Sequence, residues 1–378
     1  MPERHPLHSI CPYFAMFPED FVERHVLAHT KPGDVVFDPF CGRGTTVFQS
    51  LLMNRRGAGV DINPVAACIA GAKSEPPTLI EALQRIDDLE RGFSRRRVKR
   101  PPPTEFFEIC FHENTLQQIL FLREALAWRI DVIDRFIAAI TLGALHGESH
   151  KSGRYLSNRM PRTISTKPDY SVRWWKERGL EPPERDAFAV LRDLAKFRYR
   201  VELAALSGSI KLGDARKTAK LFPKLAGQVR LVVTSPPYLD VTDYAEDQWL
   251  RLWFLGGSAA PILRLYPDDR LTNIDTYWAF LRAVWSGVAT LLAPKSRIVI
   301  RIGGRLTRDE LAGGLKETLN NAIVDRKITL WSEPVTSDVK GRQTNNFRPG
   351  AGPSVEHDFV FALNGPQGKR MEPPGFKP

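Results

Sequence analysis

Two short stretches of the chain carry residue types that could act on a bound ligand. Thr234-Ser235-Pro236-Pro237-Tyr238 directly follows the apolar run Leu231-Val232-Val233. Consecutive prolines stiffen the backbone, because each ring fixes φ and removes a hydrogen-bond donor. The carbonyls before and at Pro236 can therefore be held facing a ligand. Ser235 adds a side-chain acceptor and Tyr238 an aromatic face. An exocyclic amine on a planar ring needs this set: acceptors for its two N–H groups and a platform for the ring. Taken alone, the tetrapeptide reads more readily as a proline-rich turn at a strand end.

The second stretch is Asp38-Pro39-Phe40-Cys41-Gly42-Arg43-Gly44-Thr45-Thr46, after the short apolar strand Asp34-Val35-Val36-Phe37-Asp38. Its glycines let the backbone approach a ligand closely, and the helix that follows points its positive end there. A phosphate loop of the Walker type needs GK[ST] after its glycines, and none follows. The dinucleotide fingerprint GxGxxG fails too, because Gly42-Arg43-Gly44-Thr45-Thr46 runs into Val47. A plain strand-to-helix turn is the simpler reading of the glycines alone. Asp61 changes the weighing: it closes the next strand, Arg56-Gly57-Ala58-Gly59-Val60-Asp61. A carboxylate there can accept from both ribose hydroxyls of a nucleoside cofactor.

With both stretches in one chain, the sequence resembles the DNA amino-methyltransferases. Their first motif is similar to Asp38–Thr46 and their second is an acid like Asp61. Tyr13-Phe14-Ala15-Met16-Phe17-Pro18 looks like the segment that packs over the methionine end of their cofactor. Arg43 departs from the pattern, since that position is commonly small. The family's catalytic motif is Asp, Asn or Ser, then Pro-Pro and an aromatic. Ser235-Pro236-Pro237-Tyr238 fits it, in the serine form typical of cytosine-N4 enzymes. A further match is Leu212-Gly213-Asp214, where the family's Asp binds the adenine amine; a surface turn explains it nearly as well. The resemblance implies S-adenosyl-L-methionine as cofactor. It implies Phe14, Asp38, Pro39, Phe40, Gly42, Gly44, Thr45, Thr46, Asp61, Ile62, Asn63 and Asp214 as the residues around it. It implies methylation of the N4 amine of a cytosine flipped out of double-stranded DNA, oriented by Ser235 and the Pro236 carbonyl, with no covalent enzyme intermediate. Cytosine-C5 methylation would call for a Pro-Cys nucleophile; the chain has only the reverse, Cys11-Pro12. Alternatives are an N6-adenine DNA or RNA amino-methyltransferase, or a non-catalytic nucleic-acid-binding protein of this fold. A cognate restriction endonuclease is a possible partner.

The elements that must position these motifs read as α/β. Residues 1–75 form a cofactor-binding half. Residues 205–365 form a catalytic half, with strands at Leu231–Thr234, Arg297–Ile302 and Asp358–Leu363; residues 366–378 are a tail. Alternating strands and helices imply a doubly wound, mostly parallel, seven-stranded Rossmann-like sheet whose ligand lies at the strands' carboxyl ends. Residues 76–204 read as an inserted, largely helical region. It holds a basic, proline-rich break at Ser94–Pro103 and a helical stretch at Leu116–Leu145. Between Lys151 and Arg178 eight Lys/Arg stand against two acids, interleaved with Tyr155, Tyr170, Trp174 and Trp175. Lys151, Arg154, Arg159, Arg162, Lys167, Arg173 and Trp174 are the candidate DNA contacts; a solvated basic face is the plainer reading. The cofactor-first motif order does not match the common order, in which a catalytic half precedes. Asp243-Tyr244 and Asp247-Gln248-Trp249 could line a base pocket or belong to an ordinary amphipathic helix.

A net charge of +11 over 378 residues suits a polyanionic partner. Hydrophobic residues make up 43% and charged ones 26%, an ordinary globular balance with no apolar run long enough for a membrane span. Met1-Pro2-Glu3-Arg4-His5 lacks the build of a signal peptide, so a cytoplasmic protein is expected. The four cysteines show no metal or disulfide spacing, and His146, Glu148 and His150 read as a polar loop, so no metal is expected.

Overall fold

In a computed structural model, the described residues are 4–13, 17–94, 104–148, 153–160, 168–239, 248–261, 271–338 and 355–365. The first half of the chain runs α1 (Glu19–His29), β1 (Val35–Asp38), α2 (Thr45–Leu52), β2 (Arg56–Asp61) and α3 (Pro64–Ser74). Then come α4 (Leu79–Phe93), α5 (Glu105–Cys110), α6 (Glu113–Ala125), α7 (Val132–Ala144), the short pair β3 (Gly147–Glu148) and β4 (Arg159–Met160), α8 (Pro168–Lys176) and α9 (Ala187–Arg198). The second half is β5 (Ser209–Leu212), α10 (Thr218–Leu221), β6 (Val229–Thr234), α11 (Trp249–Phe254), α12 (Ile274–Ala289), β7 (Leu292–Gly303), α13 (Arg308–Ala322), β8 (Lys327–Leu330), β9 (Val335–Asp338) and β10 (Val355–Asn364).

The main sheet has the order β5-β2-β1-β6-β7-β10-β8, with β9 also paired to β10. The five strands from β5 to β7 are mutually parallel, and β10 is antiparallel to its neighbours. This is the expected doubly wound, mostly parallel α/β sheet; seven strands lie in the row and β9 is an eighth. β1 is buried along its whole length, as a parallel strand covered on both faces must be. On one face α12 and α13 set Leu281, Trp285 and Leu315 against Phe37, Val232 and Ile298. On the other, α1 sets Phe21, Val22 and Val26 against Val36, Val233 and Val299.

The helices from α4 to α9 do not stand apart. Ile86, Phe136 and Ile137 share a core with Phe48, Val65 and Ile69 of α2 and α3. The stretch expected as helical over Leu116–Leu145 holds two helices, α6 and α7. The break falls before Asp131, whose carboxylate accepts from the N–H groups of Ile133 and Asp134 and so starts a new helix. All four cysteines are buried free thiols. Among the described residues no helix is long and apolar enough to cross a membrane, and no cluster of His, Cys, Asp and Glu could hold a metal ion.

Candidate active site

Strand order reverses between β1 and β6, because the chain builds outward from β1 to β2 and β5, then returns to lay β6 on its other side. In open parallel sheets a crevice opens at such a point, outside the carboxyl ends of the strands. The Asp38 loop and Thr234-Ser235-Pro236-Pro237-Tyr238 follow these two strands, so Asp38 and Thr234, 196 residues apart in sequence, meet in the fold. The two motifs are bonded to one another. Thr234 Oγ1 donates to Asp38 Oδ1 at 2.6 Å, and Thr46 Oγ1 donates to the Val233 carbonyl at 3.1 Å.

Asp38 is buried, and burial pushes its carboxyl up to about 6 against the hydrogen bonds from Thr234 and the Phe40 N–H. It supports the loop from beneath, and Pro39 is buried beside it. Gly42 (φ +48°) and Gly44 (φ +74°) hold left-handed conformations that favour glycine. A Cβ on Gly44 would also stand 2.8 Å from Ala70 Cβ, so this glycine lets α2 and α3 close on each other. Thr45 and Thr46 are buried in the first turn of α2.

Asp61 ends β2 half-buried. Its Oδ2 accepts from the Gly42 N–H at 2.8 Å and its Oδ1 from the Asn63 N–H at 2.9 Å. Burial raises its carboxyl to about 6, against donors at Asn63, Gly42 and Ile62. Four lone-pair sites less these three donors leave the carboxylate room for a further one. Ile62, next in the chain, and Phe40, in the loop after β1, are both half-buried, and buried Asn63 caps α3 and donates to Tyr13 Oη at 3.4 Å. The narrow glycine turn, half-buried aromatic residues and a carboxylate with spare acceptors fit a nucleoside cofactor. Arg43, the departure from the family pattern, turns away from this face. Its guanidinium is buried and donates to the His8 carbonyl and the Glu19 carboxylate, tying the N-terminal segment under the loop.

Asp214 follows β5, on the same carboxyl edge as Asp61; the Gly213 N–H donates to the Asp61 carbonyl at 2.9 Å. Its carboxylate caps the next turn and forms an ion pair with Arg216 at 2.6 Å. That pairing is a competing engagement for the role implied by the resemblance. Phe14 lies outside the described residues.

In Ser235-Pro236-Pro237-Tyr238, Ser235 and Tyr238 are half-buried and Pro236 is buried. Ser235 Oγ donates to Tyr238 Oη at 3.3 Å, and Tyr238 Oη donates to Glu356 Oε1 at 2.9 Å. Tyr277 Oη donates to the Pro237 carbonyl at 3.1 Å, which steadies the second proline. Glu356 was not among the residues singled out from sequence. The signal was three successive polar residues, Glu356, His357 and Asp358, near the start of an otherwise largely apolar strand, and all three are buried.

The middle block sorts its residues differently from the expectation. Trp175 and Tyr155 are core side chains, not stacking platforms: the Trp175 indole N–H donates to the Arg159 carbonyl at 2.7 Å. Arg159 bonds Tyr155 Oη at 2.6 Å, and Arg154 lies 3.6 Å from Asp193. Arg173 is exposed; Trp174 is half-buried with the Arg178 guanidinium 4.5 Å over its ring. Lys151, Arg162 and Lys167 fall outside the described residues, as do Asp243, Tyr244 and Asp247. Trp249 packs against Phe106 in the helical core, and buried Gln248 accepts from Arg251. His146 is buried, and burial lowers it to about 3, which suits a neutral core imidazole.

The chain is similar to known proteins chiefly in its first segment. Residues 3–70 match the family model described as DNA methylase. The type II methyltransferase M.HpaI of Haemophilus parainfluenzae is 46% identical over 94 residues, 24% of this chain and 26% of that protein. M.MjaII of Methanocaldococcus jannaschii is 39% identical over 80 residues, 21% of this chain and 15% of that protein. A longer match, to M.MvaI of Kocuria varians, is 24% identical and covers 57% of this chain and 49% of that protein. The matches thus span less than half the length of these relatives. They support the DNA methyltransferase family of the N4/N6 type. Among solved structures, a SAM-dependent methyltransferase from Methanosarcina mazei is 8% identical, with a TM-score of 0.34 over 93% of this chain and 99% of that one.

Proposed function

We propose that this protein is a DNA methyltransferase that modifies the exocyclic N4 amine of a cytosine flipped out of the duplex. The observation that carries the reading is the 2.6 Å bond from Thr234 to Asp38, which joins a cofactor-type loop to an amine-binding motif across the switch point of the sheet. S-adenosylmethionine, when bound, supplies an electrophilic methyl group. Asp61 would accept from its ribose hydroxyls, and Phe40, Gly42 and Gly44 would hold its nucleoside and methionine ends. Ser235 and the Pro236 carbonyl would accept from the two N–H groups of the base. Holding the amine this way draws its lone pair out of conjugation with the ring, and Tyr238 supports the ring face. Positioning and fixed dipoles then supply most of the rate. No side chain of the motif is a nucleophile towards a ring carbon.

Double-stranded DNA is the proposed partner, with the basic segment from Lys151 to Arg178 as its contact and a cognate restriction endonuclease as a companion. Mass spectrometry of digested DNA from cells expressing the protein tests the reading. N4-methylcytosine is expected. N6-methyladenine would keep the chemistry and overturn the base; 5-methylcytosine would overturn the chemistry.

A further inference from the structure

The hydrogen bonds behind the catalytic motif have a direction, and an acid outside the motif sets it. Glu356 lies at the start of β10, opposite Gly303 at the carboxyl end of β7, and is 4% exposed. A carboxylate accepts hydrogen bonds and donates none. Tyr238 Oη, 2.9 Å from Glu356 Oε1, must therefore donate to it. A hydroxyl has one proton, so the Tyr238 oxygen can only accept from Ser235 Oγ, 3.3 Å away. Ser235 thereby spends its own proton on Tyr238 and keeps its lone pairs for the ligand.

An arginine stands beside the acid. The Arg301 guanidinium makes a two-pronged pair with Asp358 at 2.6 Å for each contact, stands 3.9 Å from Glu356 Oε2, and lies 3.9 Å from the Phe21 ring centroid. Buried charges hold only when paired in this way. Phe21 on α1 backs Arg301.

We propose that Glu356 is the positioning residue that makes Ser235 an obligate acceptor, so that the site takes a base bearing N–H donors and refuses a keto base. The inference rests on the amino-methyltransferase reading. A keto oxygen at the same place would face the serine's lone pairs with no proton between them. Glu356 reaches Ser235 through the Tyr238 hydroxyl, which makes the idea testable by coupling.

The test uses Glu356→Gln, Tyr238→Phe and the double variant in the full chain. Transfer of tritium from labelled S-adenosylmethionine to unmethylated plasmid DNA is measured for each. Glu356→Gln is expected to lower kcat about 10- to 100-fold, the scale of one charge-assisted hydrogen bond, with KM for the cofactor unchanged. The double variant should be no slower than the slower single variant. Multiplied losses, or full activity in Glu356→Gln, would overturn the proposal. A second readout needs no activity. The Raman doublet of a tyrosine reports whether its hydroxyl donates to a strong acceptor; the Tyr238 doublet, isolated by subtracting Tyr238→Phe, should move in Glu356→Gln. An unmoved doublet overturns the proposal. A shifted doublet in a protein that methylates no DNA would keep the hydrogen-bond direction and overturn the substrate reading instead. Should Glu356→Gln fail to fold, Tyr238→Phe carries the kinetic arm: an undiminished kcat there overturns the proposal as well.

Discussion

The carboxyl edge of the sheet and the basic helical block bury opposite kinds of residue. At the edge, polar groups are buried and answered by partners far along the chain: Asp38 by Thr234, and Glu356 by Tyr238. In the block, the aromatic residues Trp175 and Tyr155 are buried while Arg173 and Lys176 face solvent. A buried polar group costs free energy unless a partner is in place. Its partner therefore tells where geometry has been specified. A surplus of surface charge costs little and specifies little. The edge is thus the more closely specified region, while the described part of the block buries its aromatic side chains Trp175 and Tyr155 and sets charged ones outside.

The largest expected effect tests whether the block is scaffold. Trp175→Ala should lower unfolding free energy by about 3–5 kcal/mol, the cost of emptying a core aromatic site. Trp174→Ala should stay within about 1 kcal/mol. Thermal unfolding followed by circular dichroism separates them, and equal effects would reverse the burial assigned to the two tryptophans. At the edge, Ser235→Ala should lower kcat about 10²–10³-fold, as when a preorganised polar group is removed from an active site. Calorimetric affinity for S-adenosylmethionine should stay as in the wild type; a parallel loss of affinity would move Ser235 to the cofactor.

Asp61→Ala should weaken cofactor binding by about 1.5–3 kcal/mol. Partial burial raises this carboxyl to about 6. Hydroxyl donors bind the ionised form better, so wild-type affinity should fall as pH drops through about 6 and level off above it. Asp61→Asn should be weaker and flat over that range. A wild-type profile with no slope between pH 5 and 7, on the scale set by that value, would remove Asp61 from the contact. The smallest effect is on DNA. Neutralising Arg162, Lys167 and Arg173 together should flatten the salt dependence of DNA affinity, by about 0.9 in logarithmic slope for each phosphate that is no longer neutralised. Cofactor affinity should be spared. An unchanged slope would leave the segment a solvated face.

Much of the site was legible in the residues. Proline pairs, left-handed glycines and buried parallel strands have local causes, so Asp38–Thr46, Asp61 and Ser235–Tyr238 could be placed at strand ends from sequence. The strands β5, β8 and β9 could not. Each is four residues long, mixed in polarity and only partly covered, so its apolar pattern is weak. The division of 116–145 into α6 and α7 was hidden because no Gly or Pro marks it. Nor could adjacent Trp174 and Trp175 be told apart, since helical periodicity gives a stripe without the phase that decides which side faces the core.

Local chemistry alone therefore determined the class of fold, the two motifs and the kind of ligand they suit. Tertiary structure decided which residues meet. Asp38 and Thr234 become neighbours only because the strand order turns back at β1, and Glu356 reaches Tyr238, 118 residues earlier in the chain, only because β10 folds antiparallel onto β7 with Glu356 opposite Gly303. Strand register is a property of the whole sheet, and a shift of one residue would turn Glu356 to the other face.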